Sequence, residues 1–241
     1  MFEAAVPASP EKEKAFMAQL PYGFTPFSGI TMATLSTTAG SSSALSSIFY
    51  PIDEDLLLYR DMALALGAPP NSHMLRFMGP AGQNLVFIGE SGTQEWARVQ
   101  HMAGCRWPQL PAPGSVATDG TKLDSLPERI VYQMLSVLKR RNMHVDVHEP
   151  ICISDGRFRA DLTLRKGAVS RYIEVVGCCG SDRITRNKDE RTWLARLDQR
   201  LAFYRAQKIE PVLIWLDMFA HPAELKDLCV DLVDDVALRG A

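Results

Sequence analysis

Residues 157–177 read RFRADLTLRKGAVSRYIEVVG. In the first part Phe158, Ala160, Leu162 and Leu164 alternate with Arg159, Asp161, Thr163 and Arg165. This is the period-two pattern of a strand with one apolar face and Asp161 on the other. In the second part Ile173 and Val175 share one face, while Tyr172, Glu174 and Val176 share the opposite one. Gly167 and its neighbours supply a short hairpin connection between the two strands. Adjacent strands therefore place two carboxylates, Asp161 and Glu174, side by side. Paired carboxylates repel, and a divalent cation bridging them removes the repulsion.

The rest of the second half is regular. SLPERIVYQMLSVLKRR (125–141) predicts a helix with Ser125 as N-cap, Pro127 in the first turn and basic residues at the end. MHVDVHEPICI follows as one strand or a broken pair. NKDERTWLARLDQRLAFYRAQ (187–207) predicts a helix with Trp193, Leu194, Leu197, Leu201 and Tyr204 along one stripe. PVLIWLD (211–217) reads as a strand buried on both faces, and a last helix covers about 222–237. The expected class is α/β, with a mixed sheet flanked by helices.

The first 120 residues are less regular, an α/β or irregular extension. Helices are expected at 10–20 and 53–67, the latter closed by Gly67, with the small polar run STTAGSSSALSS as a loop between them. NLVFIGES reads as a strand and a turn, and WARVQHMAGCRW as a helix ending at Gly104. The proline- and glycine-rich stretch 108–121 is the expected boundary. It divides residues 1–120, assigned to targeting or to holding a protein partner, from a domain at 121–241.

Composition narrows the function classes. The chain has 241 residues, 46% hydrophobic and 22% charged, an ordinary globular composition. No stretch approaches a membrane span, and the five cysteines are odd in number and lack CxxC spacing. A reducing cytoplasm is the expected compartment. Net charge is −2, but residues 157–208 carry 13 Lys/Arg against 6 Asp/Glu, a local surplus suited to a polyanion. Motifs of serine hydrolases, zincins and nucleotide-binding loops are absent.

An acid in the first helix (Glu128), RAD at 159–161 and IEVVG at 173–177 resemble the PD-(D/E)XK nuclease superfamily, over about residues 121–240. The resemblance implies a restriction-endonuclease-like core of helix, three-stranded meander, helix, strand and helix. It implies a metal-dependent DNA endonuclease in which Asp161 and Glu174 bind magnesium or manganese and Glu128 is an auxiliary acid. The E-x-x-G ending is similar to the branch of mismatch-repair and mobile-element endonucleases. Where the superfamily carries a lysine two residues after the Glu, this chain has Val176. Lys166 in the hairpin and Lys188 at the start of the next helix are the candidate replacements. Arg183, Arg186, Arg191, Arg196 and Arg200 are candidate contacts for the DNA backbone. A homodimer is compatible with this reading. Val176 also admits the alternative of a catalytically inactive nuclease-fold module that binds nucleic acid or assembles a DNA-processing complex.

Structural roles compete with these assignments. Glu128 fits a capping box with Ser125, and Asp161 fits an ion pair with Arg159 or Arg165 on an exposed strand face. Glu174 lies in an otherwise apolar strand, where a charge is costly without a partner or a metal. His144, Asp146 and His148 alternate with valines and are expected to share one strand face, solvated in preference to metal-binding. The adjacent Cys178 and Cys179 are expected to be incidental rather than ligands.

Overall fold

The computed structural model describes residues 51–152 and 155–240. The helix expected at 10–20 and the polar loop at 36–47 lie outside those residues. These described residues belong to one compact unit. It is a mixed α/β unit. A four-stranded sheet runs in the order β1 (His144–Val147), β4 (Leu162–Lys166), β5 (Val169–Val176), β6 (Val212–Trp215). The first three are antiparallel neighbours, and β6 pairs parallel with β5. β2 (Pro150–Cys152) and β3 (Asp155–Arg159) form a separate antiparallel ribbon.

The two sheet faces have different covers. Leu162, Leu164, Ile173, Val175 and Ile214 pack on α5 (Leu126–Leu138) and α7 (Pro222–Arg239), through Ile130, Val131 and Leu135 from the first and Leu225, Val233 and Val236 from the second. Tyr172 and Val176 face α6 (Lys188–Ala206), meeting Leu197, Leu201 and Tyr204. The alternation expected for β5 is therefore realised. Ile173 and Val175 belong to one core, and Tyr172 and Val176 lie with Glu174 under α6. Ser125 caps α5 by accepting from Glu128 N, and Asn187 caps α6 by accepting from Glu190 N.

Several expectations change. The run 157–166 is not one strand: it breaks at Ala160–Asp161, so β3 and β4 belong to different sheets and Asp161 stands at the break. Both pieces are extended, so the alternation survives a break that hydrogen bonding does not. NLVFIGES is helical, within α3 (Gln83–Ser91), which follows α1 (Asp53–Leu66) and α2 (Ser72–Leu75). Leu85 and Ile88, three residues apart, are both fully buried, and that tertiary packing overrides strand propensity. α4 (Thr93–Arg106) passes through Gly104 instead of ending there. β6 is an edge strand in which Ile214 alone is fully buried, and Trp193 of the expected α6 stripe is 55% exposed.

The boundary expected near residue 120 does not separate two cores. Leu56, Tyr59, Met74, Leu85 and Trp107 from the N-terminal helices join the same cluster as Leu135, Phe219 and Val233. Arg76 adds polar ties, donating to Cys178 O (3.1 Å) and pairing with Glu190 (3.2 Å). The stretch 108–121 thus connects parts of one core. No helix among the described residues is long and apolar enough to cross a membrane.

A shared core makes unfolding of this unit one event. Leu85→Ala and Leu164→Ala, both fully buried, should each cost about 2–5 kcal/mol in urea denaturation. Both should move a single transition recorded by circular dichroism and tryptophan fluorescence. A separate early transition, shifted by Leu85→Ala only, would show that the N-terminal helices fold apart from the sheet.

Candidate active site

β5 is interior to the sheet, flanked by β4 and β6, and carries the fully buried Glu174. β4 begins at Leu162, paired with Ile173, so the ladder ends just before the Glu174 position. Asp161 occupies that end. Its Oδ2 accepts from Val175 N at 2.8 Å, supplying the acceptor that a longer β4 would have supplied. Its Oδ1 accepts from Arg200 Nη1 at 2.9 Å. The same Nη1 is 2.9 Å from Glu174 Oε2. One guanidinium nitrogen therefore bridges both carboxylates.

The second oxygen of Glu174 is held by Tyr204, whose hydroxyl donates to Oε1 at 2.6 Å. Oε2 is buried and has no aligned hydrogen bond: the Arg200 contact satisfies distance without direction. Arg200 and Tyr204 are one helical turn apart on the face of α6 that also presents the buried Leu197. Val176, where the sequence resemblance leads one to expect a lysine, is buried against Leu197 and Cys179.

Glu128 reaches the same region from α5. Pro127 approaches the end of β5 closely enough that a Cβ at Gly177 would stand 3.4 Å from its Cγ. Glu128 accepts from Ser125 Oγ (2.7 Å) and Asp124 N (3.2 Å), and its Oε2 is 3.3 Å from His148 Nε2. The capping role is thus realised together with a contact to the site. His148 Nε2 is also 3.5 Å from Asp124 Oδ2. Asp124, Glu128 and His148 offer ligand atoms within 4.8 Å of one another and could hold a metal ion. The expected shared face of His144, Asp146 and His148 dissolves, because His148 lies beyond β1 with φ 53° and turns toward Glu128.

Electrostatics bind these groups into one site. Burial, and then the charge of Asp161, push the Glu174 carboxyl up to about 8, with Arg200 and Tyr204 opposing. Burial and Asp161 also raise Glu128, against hydrogen bonds from Ser125 and His148. Burial works against the Arg200 charge, but Asp161 and Glu174 outweigh it. A carboxylate pair with an unsatisfied oxygen and only oxygen donors suits a hard divalent cation, so the residues present fit the metal that the resemblance implies.

The other sequence candidates lie elsewhere. Lys166 is at the far end of β4 and donates to Ala237 O at 2.9 Å, closing the last turn of α7. Lys188 is exposed at the first residue of α6. Arg183 pairs with Asp198 and Arg186 with Glu90, Arg196 lies over the Trp193 ring, and Arg191 is exposed. Much of the basic surplus at 157–208 is thus matched within the fold, Arg165 by Glu149 and Arg171 by Asp235 included. Arg200 reaches inward to the site and is only half-buried. Tyr204 and Asp124 are functional candidates that the sequence reading passed over, and His148, expected to be solvated in preference to metal-binding, joins them. The i, i+4 spacing of Arg200 and Tyr204 on the inward stripe was the available signal for the first of these.

The chain matches no protein-family model, no curated protein and no solved structure.

The raised Glu174 carboxyl fixes the sign of a pH effect. The folded state holds the proton to about 8, whereas an unfolded glutamate releases it near 4.5. This group's contribution is complete below the unfolded value and is lost as pH rises through the folded one. In EDTA, the thermal midpoint should therefore fall between pH 5 and pH 8.5, and Glu174→Gln should flatten that fall. An unchanged slope in Glu174→Gln would place the pH sensitivity elsewhere.

Proposed function

We propose that the chain is a metal-dependent DNA endonuclease built on a restriction-endonuclease-like core. The observation that carries this reading is the convergence of Asp161 and Glu174 on one cationic nitrogen while Glu174 Oε2 stays buried without an aligned donor. Supporting it is the order of elements: α5, the antiparallel β1, β4 and β5, the crossover α6, the parallel β6, then α7. The β2–β3 ribbon is then an insertion into the meander.

Asp161 and Glu174 would hold magnesium or manganese, with Glu128 alongside. When bound, such an ion neutralises charge on a phosphodiester and makes a water nucleophilic at neutral pH. Tyr204 fixes the rotamer of Glu174 through Oε1 and leaves Oε2 for ligation. Val175 N does the same for Asp161, binding Oδ2 and leaving Oδ1 facing Glu174. Lys188 and Arg191, exposed at the start of α6, would meet the DNA backbone.

The rival reading keeps the fold without the chemistry: a module that binds nucleic acid or assembles a DNA-processing complex. It is favoured by Val176, which packs where a lysine would work, and by Arg200, which already neutralises part of the carboxylate charge.

The deciding assay uses supercoiled plasmid with magnesium, manganese or EDTA. Nicking should require metal, and Glu174→Ala should reduce it about a hundredfold or more. Lys188→Ala should weaken DNA binding in proportion to its phosphate contact, with a shallower salt dependence. Cleavage that survives Glu174→Ala would belong to another centre. Salt-sensitive DNA binding with no cleavage under any metal would favour the non-catalytic rival.

A further inference from the structure

Arg200 is an odd partner for two carboxylates. A guanidinium built for permanent pairing offers two parallel N–H groups to one carboxylate. Here the hydrogen bonds and the nearest ion-pair contacts run through Nη1: Asp161 Oδ1 at 2.9 Å, Glu174 Oε2 at 2.9 Å, and Arg159 O at 3.5 Å. Nε and Nη2 donate no hydrogen bond to the described residues. The side chain keeps a quarter of its surface exposed, so a path to solvent is open. Glu174, in contrast, is fixed by Tyr204 and by burial in β5.

The charges point the same way. Once both carboxylates are ionised, as cation binding requires, one guanidinium leaves a net charge of −1, whereas a divalent cation between the same carboxylates leaves none. An ion also makes no demand for N–H alignment, so it would satisfy the Glu174 Oε2 that Arg200 leaves without a directed bond. The fixed partners are the two acids. The movable one is the arginine.

We infer that Arg200 is an exchangeable occupant of the cation site. It holds Asp161 and Glu174 together when no metal is bound, is displaced by a divalent cation, and then presents its freed guanidinium to the phosphate of bound DNA. This rests on the metal-dependent reading above. It assigns the chain's missing active-site cation to α6, one turn before Tyr204, rather than to Lys166 or Lys188. Arginine stays charged at any working pH, so its part is electrostatic and not that of a base.

The exchange predicts an affinity change in an unusual direction. A competitor that occupies the site lowers apparent metal affinity by the fraction of time the site is free. In a titration of the full chain with Mn²⁺, followed by the electron paramagnetic resonance of free Mn²⁺, Arg200→Gln should bind about tenfold or more tightly than wild type. Arg200→Lys, a shorter group without the fork, should fall between them and decides the matter should Arg200→Gln not fold. Glu174→Gln should abolish this binding in both backgrounds. Wild-type binding that is unchanged or weakened in the Arg200 variants would overturn the exchange and leave the metal reading standing. Absence of Mn²⁺ binding in wild type and variants alike would overturn both. A fluorescent duplex supplies the second arm. Arg200→Gln should lose several-fold in DNA affinity in saturating Ca²⁺ and nothing in EDTA. Equal losses in both would show that Arg200 never leaves the carboxylates for the phosphate.

Discussion

A carboxylate buried in the middle of a sheet constrains everything around it. Glu174 is fully buried on β5, with β6 on one side and Asp161, just outside β4, on the other, and the surrounding β5 residues are apolar. An ionised group there is costly unless charge and hydrogen bonds reach it. The partners come from the covering helix, because β6 fills one side and the acidic Asp161 stands on the other. α6 delivers them with two residues one turn apart, Tyr204 to Oε1 and Arg200 toward Oε2. The placement of α6 over this face, with Leu197 and Leu201 packing beside Tyr172 and Val176, is therefore part of the electrostatic solution as well as the hydrophobic one.

Asp161 shows how a strand end becomes a site. Stopping β4 at Leu162 frees the Val175 amide, and a side-chain oxygen of Asp161 takes it. The same carboxylate then faces Glu174 and Arg200. Ladder termination and charge pairing are served by one residue, so a double role explains its position without choosing between them. Glu128 is similar. It is a helix-capping acid and, through burial at the start of α5, a third carboxyl in the field of Asp161.

The sequence discloses the elements that depend on local pattern. The β5 alternation, the Ser125 cap and the course of α6 from Asn187 all follow from short-range chemistry. What is hidden depends on non-local partners. The break at Asp161 leaves the alternation intact, since β3 and β4 are both extended on either side of it. The helix over Gln83–Ser91 is decided by where Leu85 and Ile88 are buried, against the strand preference of its residues. Arg200 looks like one more basic residue on a basic helix until the helix rotation places it inward. His148 reads as part of a strand face, yet its left-handed backbone carries it toward Glu128.

Arg76 gives the N-terminal helices a claim on the site. It lies just after α2, yet its guanidinium grips Cys178 O and Glu190, the two ends of the loop that joins β5 to α6. The Arg76 and Glu190 side chains are both nearly enclosed, so this is an internal buckle rather than a surface tie. The loop sets where α6 starts, and α6 carries Arg200 and Tyr204. A fragment cut at residue 121 would keep every carboxylate of the site and lose the buckle, along with the apolar cover that the N-terminal helices lend to Phe219 and its neighbours. Any fragment that keeps the buckle must therefore include the helices from Asp53 onward. The structural unit behind the site is the whole core, not the half of it that holds the acids.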